Sequence, residues 1–191
     1  MKKEISILTL IIIILISSCK ENPIPKHRAY FRISFPEKEY QQYESDCHYT
    51  FEYPIYSKIT VDNDALSEPC WLNLNFPLYK ATIHLTYKKI ENNNLQELLD
   101  DSHTLVYKHV VKADAINDVL YIDDSLKIYA TVFNIEGNAA SPLQFHATDS
   151  VNHFLRASLY FRVSPNKDSL FSSIVFLKKD VRHLIESLEW K

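Results

Sequence analysis

Apolar and polar residues alternate along the stretch between Cys70 and Lys88. Two sets of apolar residues with a period of two lie on either side of Pro77: Leu72, Leu74 and Phe76 before it, and Ala81, Ile83, Leu85 and Tyr87 after it. This period is typical of half-buried β-strands. The pattern therefore predicts two adjacent strands, at 71–76 and 80–88, joined by a turn at Pro-Leu-Tyr, as the centre of the domain.

Shorter apolar runs predict further strands on both sides of this pair. We expect strands at 48–53, 58–61, 115–122, 126–136, 143–147 and 153–163. Both faces of the 126–136 strand are partly apolar, as expected of a central strand that is covered on both sides. In the 153–163 strand, apolar residues such as Leu155 share one face and polar residues such as Arg156 share the other.

Two segments carry apolar residues at helical spacing. The first predicts a helix over 95–110, with three asparagines before it as loop and N-cap. The second, longer helix follows a turn at 165–168, and its apolar stripe is Leu170, Ile174, Leu177, Val181, Leu184 and Leu188. This order of elements predicts an α+β fold, with a mainly antiparallel sheet of about six to seven strands and two packed helices. The order resembles that of the PsbP/Mog1-like sandwich.

The composition excludes several kinds of nucleotide-binding and catalytic loop. The 191 residues include 12 Tyr and 10 Phe but only one glycine, Gly137. Phosphate-binding loops, dinucleotide fingerprints and the nucleophile elbow of hydrolases each need at least two glycines. Turns must therefore be built from Asn, Asp, Ser and Pro.

The first 18 residues have the pattern of a secretory signal. Lys2 and Lys3 precede an apolar run from Ile5 to Ile16, and two serines then lead to Cys19. The run is short for a membrane span, and its end resembles the lipobox of bacterial lipoproteins, whose cysteine is acylated with chains such as palmitate. We predict a lipoprotein signal peptide at 1–18 and lipidation at Cys19. An ordinary signal peptide and an N-terminal anchor helix are the alternatives.

The net charge and the cysteine count of the mature protein indicate what it does not bind and whether its cysteines are oxidised. Removal of residues 1–18 would take Lys2, Lys3 and Glu4 from the 21 basic and 24 acidic residues, leaving 19 and 23 and a net charge of −4. That balance offers no general basic surface to nucleic acid. Cys47 and Cys70 then remain in an oxidising compartment, where an even number favours a disulfide. Such a bridge would stabilise the fold by ~3 kcal/mol.

The segment 19–46 contains three prolines and shows little periodicity, so we expect a lipid-anchored tether followed by one globular domain at 47–191. Within the tether lies a basic and aromatic cluster of Lys26, Arg28, Tyr30, Phe31 and Arg32. Its aromatic residues could pack on the domain with the charges facing lipid or solvent. The alternative is a docking segment for a partner, because Tyr and Arg are enriched at interfaces. Together with Trp71 and Tyr79, predicted as exposed aromatics, it forms the candidate partner surface.

No pattern for a metal site or a catalytic triad is supported. His103 and His109 fall about 240° apart around a helix, and the pair His183 and Glu186 lacks a third ligand. The residues Asp149-Ser150-His153 indicate a strand turn, since triads assemble from separate segments around an oxyanion hole. We predict no metal, no cofactor and no enzymatic activity.

Polar side chains on the central strand pair define a candidate ligand face. Asn73 and Asn75 lie on one strand and His84 on its neighbour, between two threonines. The alternative is a solvated outer face of the sheet. A concave, aromatic-lined pocket at this place would favour ligand binding.

Several segments resemble the gliding motility lipoprotein GldD family of Bacteroidetes along nearly the whole mature chain. They include HRAYFRISFPEKEY, FEYPIYSKI, CWLNLNFPLYKATIHLTYK, HFLRASLYFRVSPNKDSL and FLKKDVRHLIESLEW. Ala29 and Ala157 depart from the family pattern, which has glycine at both positions. At these two positions the backbone must accommodate a methyl side chain where the family pattern has none.

The resemblance implies an envelope lipoprotein needed for gliding and for the associated type IX secretion machinery, with other gliding lipoproteins as neighbours. It implies no catalytic residue. We expect a non-enzymatic assembly or stability factor that is lipid-anchored on the periplasmic side of a membrane. The alternative function is a periplasmic or surface module that binds a sugar or a peptide.

Overall fold

The structure, a computed structural model, describes residues 33–191. The predicted signal peptide at 1–18, the predicted lipidation at Cys19 and the basic and aromatic cluster at 26–32 lie outside the described residues.

Two α-helices and ten strands are present in the described part of the chain. The helices are α1 (Leu95–Tyr107) and α2 (Lys167–Glu186). The strands are β1 (Tyr40–Tyr43), β2 (Tyr49–Pro54), β3 (Lys58–Val61), β4 (Leu72–Phe76), β5 (Ala81–Lys89), β6 (Ala113–Asp123), β7 (Ile128–Gly137), β8 (Leu143–Thr148), β9 (His153–Phe161) and β10 (Glu189–Trp190). A short 3₁₀ turn, Pro77–Tyr79, joins β4 to β5 at the predicted place.

The strands form two sheets. Seven strands make the main sheet in the order β3-β4-β5-β9-β8-β7-β6, and the other three make a small sheet in the order β1-β2-β10. Each pairing in these two sheets is antiparallel. The predicted α+β class, with a mainly antiparallel sheet and two helices, is therefore confirmed.

The main core lies between one face of the seven-stranded sheet, helix α2 and strand β2. The alternating apolar residues of β4 and β5 are buried there with the helical stripe at Leu177, Val181 and Leu184. Full burial of such a side chain contributes ~1.5 to 3 kcal/mol before conformational entropy is subtracted.

Helix α1 covers the opposite face of the main sheet. Val106 packs there on Phe133, Ile135 and Ala139 in a second, smaller core. Phe133 and Ile135 point to this side because successive residues of a strand face opposite sides of a sheet. The helix ends at Tyr107, three residues before the predicted end at 110.

The small sheet was not predicted. β1 lies within 19–46, the segment expected to be a tether, and it pairs with β2 from Tyr40↔Pro54 to Tyr43↔Phe51. β10, at the other end of the chain, pairs with β2 on its second edge. The domain therefore begins before the predicted boundary at residue 47, because β1 is stabilised by a partner strand that no local pattern reveals.

The single glycine occupies a position that other residues cannot easily take. Gly137 ends β7 with φ +102°, and a Cβ atom there would lie 2.6 Å from the backbone nitrogen of Asp114 and 2.9 Å from the carbonyl oxygen of Lys112. Elsewhere the left-handed turn positions are taken by residues such as Asn92 and Asn93, which tolerate this conformation better than most.

Candidate functional site

The two cysteines of the domain form a disulfide. Cys47 and Cys70 are joined with their Cα atoms 5.6 Å apart. The hydroxyl of Tyr49 donates to the carbonyl of Cys70 at 2.8 Å, so the start of β2 and the loop before β4 are also connected by a hydrogen bond. The bridge fastens the small sheet to the main sheet.

The two aromatics predicted as exposed partner residues are half-buried and packed inside the domain. The indole nitrogen of Trp71 donates to the carbonyl of Tyr87 at 2.8 Å, and the ammonium of Lys88 lies 5.2 Å from its ring centre. The ring of Tyr79 packs against Phe35 and Phe176, with centroids 5.7 and 5.4 Å away. Both residues are thus less exposed than predicted, because neighbours distant in sequence cover part of each ring; their role in a partner surface stays a prediction.

The N-terminal segment 33–40 is held on helix α2 by a buried carboxylate. Asp180 is only 2% exposed, and it accepts hydrogen bonds from Lys38 at 2.7 Å, Tyr40 at 3.1 Å and Tyr56 at 2.7 Å. The ammonium of Lys38 also lies 3.2 Å from the ring centre of Phe176. We call Lys38, Tyr40, Tyr56 and Asp180 the N-terminal clamp.

Burial governs the electrostatics of the clamp. Burial lowers the pKa of Lys38, while its hydrogen bond and charge contact with Asp180 oppose that change. The pKa values of Tyr40 and Tyr56 are raised by burial and by the charge and hydrogen bonding of Asp180. Both phenols therefore stay protonated and can donate to the carboxylate, so Tyr40 and the neighbouring Lys38 are held against helix α2.

The predicted ligand face is assembled, but its amides bond within the sheet. Asn73 and His84 lie opposite each other on β4 and β5, with Oδ1 and Nδ1 2.6 Å apart. Asn75 donates to Thr60 at 3.0 Å and accepts from Thr82 at 3.1 Å. Burial lowers the pKa of His84, so the neutral imidazole is favoured.

The largest exposed apolar feature among the described strands is the edge of the main sheet at β6. This strand has 11 residues, and within residues 33–191 it pairs with β7 alone. Val119 is 56%, Leu120 66% and Ile122 63% exposed. Because Val119 alternates with Leu120, apolar side chains are exposed on both faces of the strand.

A groove lies beside this edge, between β6, β7 and α2. Its volume is about 340 Å³, and apolar side chains including Val119, Tyr121, Val132 and Ile185 line it. Lys178 and Arg182 stand on the helical side. The sequence predicted a strand here, but only the sheet order shows that it is an unpaired edge.

Comparison with protein families identifies the chain. The model of the family described as gliding motility lipoprotein GldD matches residues 20–190. The chain belongs to the GldD family. The resemblance inferred from the sequence is thereby confirmed, and the protein is a gliding-motility lipoprotein, hence a membrane-anchored protein of the cell envelope.

A solved structure supports the fold of this GldD-family chain. It is similar to the solution structure of cyanobacterial PsbP (CyanoP) from Synechocystis sp. PCC 6803, with a TM-score of 0.52 and 12% identity over 87% of this chain and 99% of that one. At this identity the likeness concerns the fold alone, and it agrees with the predicted PsbP-like sandwich. A search of curated proteins gave no match.

Two further properties concern the part of the GldD-family chain that the structure describes. Across 33–191, His, Cys, Asp and Glu side chains nowhere gather in a group of three that could hold a metal ion. Within the same residues, no helix is long and apolar enough to span a membrane.

Proposed function

We propose that this GldD-family lipoprotein is a non-enzymatic accessory factor. It assembles or stabilises the gliding apparatus and the associated type IX secretion machinery by docking another envelope lipoprotein. The observation that carries the proposal is the exposed apolar edge strand β6. Soluble domains usually protect such edges, because an unpaired row of backbone N–H and C=O groups is ready to pair with another chain.

The two edges of the main sheet differ in a way that supports docking at β6. The opposite edge, β3, has four residues and begins with Lys58, so it is short and charged. β6 is nearly three times as long and contains neither Lys, Arg nor Pro. β6 does carry three aspartates and, near one end, an irregular register at Ala113–Ala115. The exposed apolar residues Val119, Leu120 and Ile122 nevertheless remain along its other half, as expected of an edge that is covered by a partner in the assembled state.

Charge favours a basic partner strand over a second copy of this chain. The charged side chains of β6 are Asp114, Asp118 and Asp123. Antiparallel pairing of two β6 strands would bring like charges together, which is destabilising. The occupant that fits is an extended segment of another envelope protein, with basic residues toward the aspartates and apolar residues toward the groove.

Photo-crosslinking in living cells tests this docking. A photoreactive amino acid at Leu120 is expected to form adducts with gliding or secretion lipoproteins, identified by mass spectrometry. The matched control is Val61, on the opposite edge strand and 60% exposed. Adducts that are no more frequent at Leu120 than at Val61 would overturn docking at β6.

Substitution gives an independent functional readout. The double change Leu120→Lys and Ile122→Lys places positive charge on exposed positions, so the fold should persist while a basic partner strand is repelled. We expect lower partner levels and reduced gliding, with Val61→Lys as the control. Normal gliding and normal partner levels in the double variant would contradict the proposal.

The segment 26–32, which includes Lys26, Arg28 and Arg32, is proposed as a second contact with the partner. Its deletion should lower partner levels and motility, and unchanged levels and motility would count against this contact. The alternative function, binding of a sugar or peptide at Asn73, Asn75 and His84, has less support because both amides are bonded to neighbours in the sheet.

A further inference from the structure

Arg156 lies on the face of β9 that is turned toward helix α1, and its guanidinium is incompletely paired. One terminal nitrogen donates to the side-chain oxygen of Gln144 on β8. The Nε atom is buried and has no hydrogen-bond partner among the described residues. A buried, unpaired donor of a charged group is costly, so such groups in native proteins usually have a role.

No carboxylate within 33–191 forms an ion pair with this guanidinium. The salt bridges of these residues involve Lys38, Lys88, Lys89, Lys167, Arg182 and His183. Burial lowers the pKa of Arg156, but a guanidinium stays charged in proteins. A partly buried cation without an anion is unfavourable unless an anion from outside the domain binds it.

Three other side chains surround the same place and bring further donors. His84 on β5 and Gln144 on β8 both lie opposite Ser158 of β9, so the guanidinium that donates to Gln144 lies in the same cross-strand row as His84. The ring of Tyr160 lies 5.8 Å from that of His84 and 6.3 Å from that of His109, centroid to centroid.

The two imidazoles can turn a nitrogen toward a ligand. Nδ1 of His84 donates to Oδ1 of Asn73, so Nε2, which has no partner among the described residues, donates only in the imidazolium form, and a bound anion would favour that form. The imidazole of His109 lies beside Tyr160, and burial together with the charge of Arg156 lowers its pKa. Polar groups from β5, from β9 and from the loop after α1 therefore lie on one face of the sheet, beside the guanidinium and the ring of Tyr160.

We propose that the surface formed by His84, His109, Arg156 and Tyr160 binds a phosphate-type oxyanion. The Nε atom is enclosed and one terminal nitrogen donates to Gln144, so the remaining N–H donors of the two terminal nitrogens would meet the oxyanion, with the positive charge strengthening those bonds. Donors from three elements suit the several oxygens of a tetrahedral oxyanion better than the two of a carboxylate. This site is separate from β6 and goes beyond the docking function, so either can fail without the other.

Titration of the purified full chain in a nonionic detergent tests the site. Inorganic phosphate is added at constant ionic strength with chloride as the reference, and binding is followed by calorimetry and by histidine NMR signals. We expect saturable binding that shifts the signals of His84 and His109. The change Arg156→Gln should weaken the Kd at least tenfold, because it removes a charge-assisted pair of hydrogen bonds. Binding of phosphate by Arg156→Gln with unchanged Kd would overturn the proposal.

Control variants distinguish specific binding at this site from a general attraction of phosphate to positive charge. Arg162→Gln removes an exposed positive charge just after the same strand and should leave the Kd unchanged; an equal loss in this variant would overturn the proposal. If Arg156→Gln fails to fold, His84→Gln replaces it in the test, because a glutamine side chain can keep the hydrogen bond to Asn73. An unchanged Kd for phosphate in His84→Gln would then overturn the proposal.

Two further ligands define the chemistry. Acetate that binds as tightly as phosphate would overturn the assignment to a tetrahedral oxyanion. Glycerol 3-phosphate, the soluble analogue of a phospholipid headgroup, distinguishes the sources. If glycerol 3-phosphate binds more tightly than inorganic phosphate, the ligand of the site is a lipid headgroup. If it binds more weakly, the ligand is a free phosphate.

Discussion

The imidazole of His146 is almost fully enclosed between helix α1 and the sheet. It is 3% exposed and its Nδ1 lies 3.0 Å from the hydroxyl of Ser102. Burial, together with the nearby His103 and Arg156, lowers its pKa to about 4. The folded state thus holds His146 neutral where an unfolded chain would protonate it.

This predicts a loss of stability on mild acidification. The unfolded chain binds a proton at His146 below about pH 6.5, whereas the folded chain resists protonation until about pH 4. The contribution of His146 therefore falls as pH falls through that window, by about 2 kcal/mol between pH 7 and pH 5. Urea unfolding at both pH values checks this, with His146→Gln as the comparison. A pH dependence of equal slope in that variant would contradict the prediction.

Helix α2 and the N-terminal segment depend on each other through the N-terminal clamp. Removing one partner of a buried ion pair costs more than replacing the pair, because the remaining charge loses its compensation. The side chain of Lys38 is 24% exposed, so it can turn partly to water and reduce that cost.

We therefore expect Asp180→Asn to lower the free energy of unfolding by about 2 to 4 kcal/mol, less than for a fully enclosed pair. Lys38→Met should cost less, since the carboxylate keeps the hydroxyls of Tyr40 and Tyr56. Chemical denaturation measures both. Limited proteolysis should show faster cleavage before residue 43 in Asp180→Asn than in the unchanged protein, and cleavage at the unchanged rate would mean that the clamp does not hold the segment.

The elements with strong local periodicity could be predicted from sequence, and those fixed by distant partners could not. The central strand pair and α2 follow from alternation and from an unbroken apolar stripe. β1 and β10 have four and two residues, too few for a pattern, and exist because β2 lies between them.

The same distinction holds for the candidate sites. The sequence placed Arg156 on the polar face of its strand, but only packing shows that its Nε is buried. The sequence predicted a strand at 115–122, but it could not show that this strand lies at an edge, because that depends on the order of the strands in the sheet. Asp180 lies off the apolar stripe of α2, and its partner Lys38 is 142 positions away, so no local signal indicates its burial.

At the scale of the whole molecule, the predicted lipid anchor limits where the domain can act. Cys19 and Ile33 are 14 positions apart. Even a fully extended chain spans at most ~3.6 Å per residue, so residue 33 stays within about 50 Å of the anchor. A partner that docks at β6 should therefore be bound to the same membrane or stand close to it.

Replacement of the anchor cysteine tests this. Cys19→Ala should move the protein from the membrane fraction to the soluble fraction, because the substitution removes the residue that would carry the acyl chains, and stable anchoring depends on those chains. Crosslinks from Leu120 to envelope lipoproteins should fall in parallel, since the partner and β6 are no longer confined together. The control is the double variant Cys47→Ser and Cys70→Ser, which loses the disulfide but keeps the anchor and should remain in the membrane fraction. Mass spectrometry of the N-terminal peptide supplies the direct readout, and an unacylated Cys19 in membrane-bound protein would refute the predicted anchor.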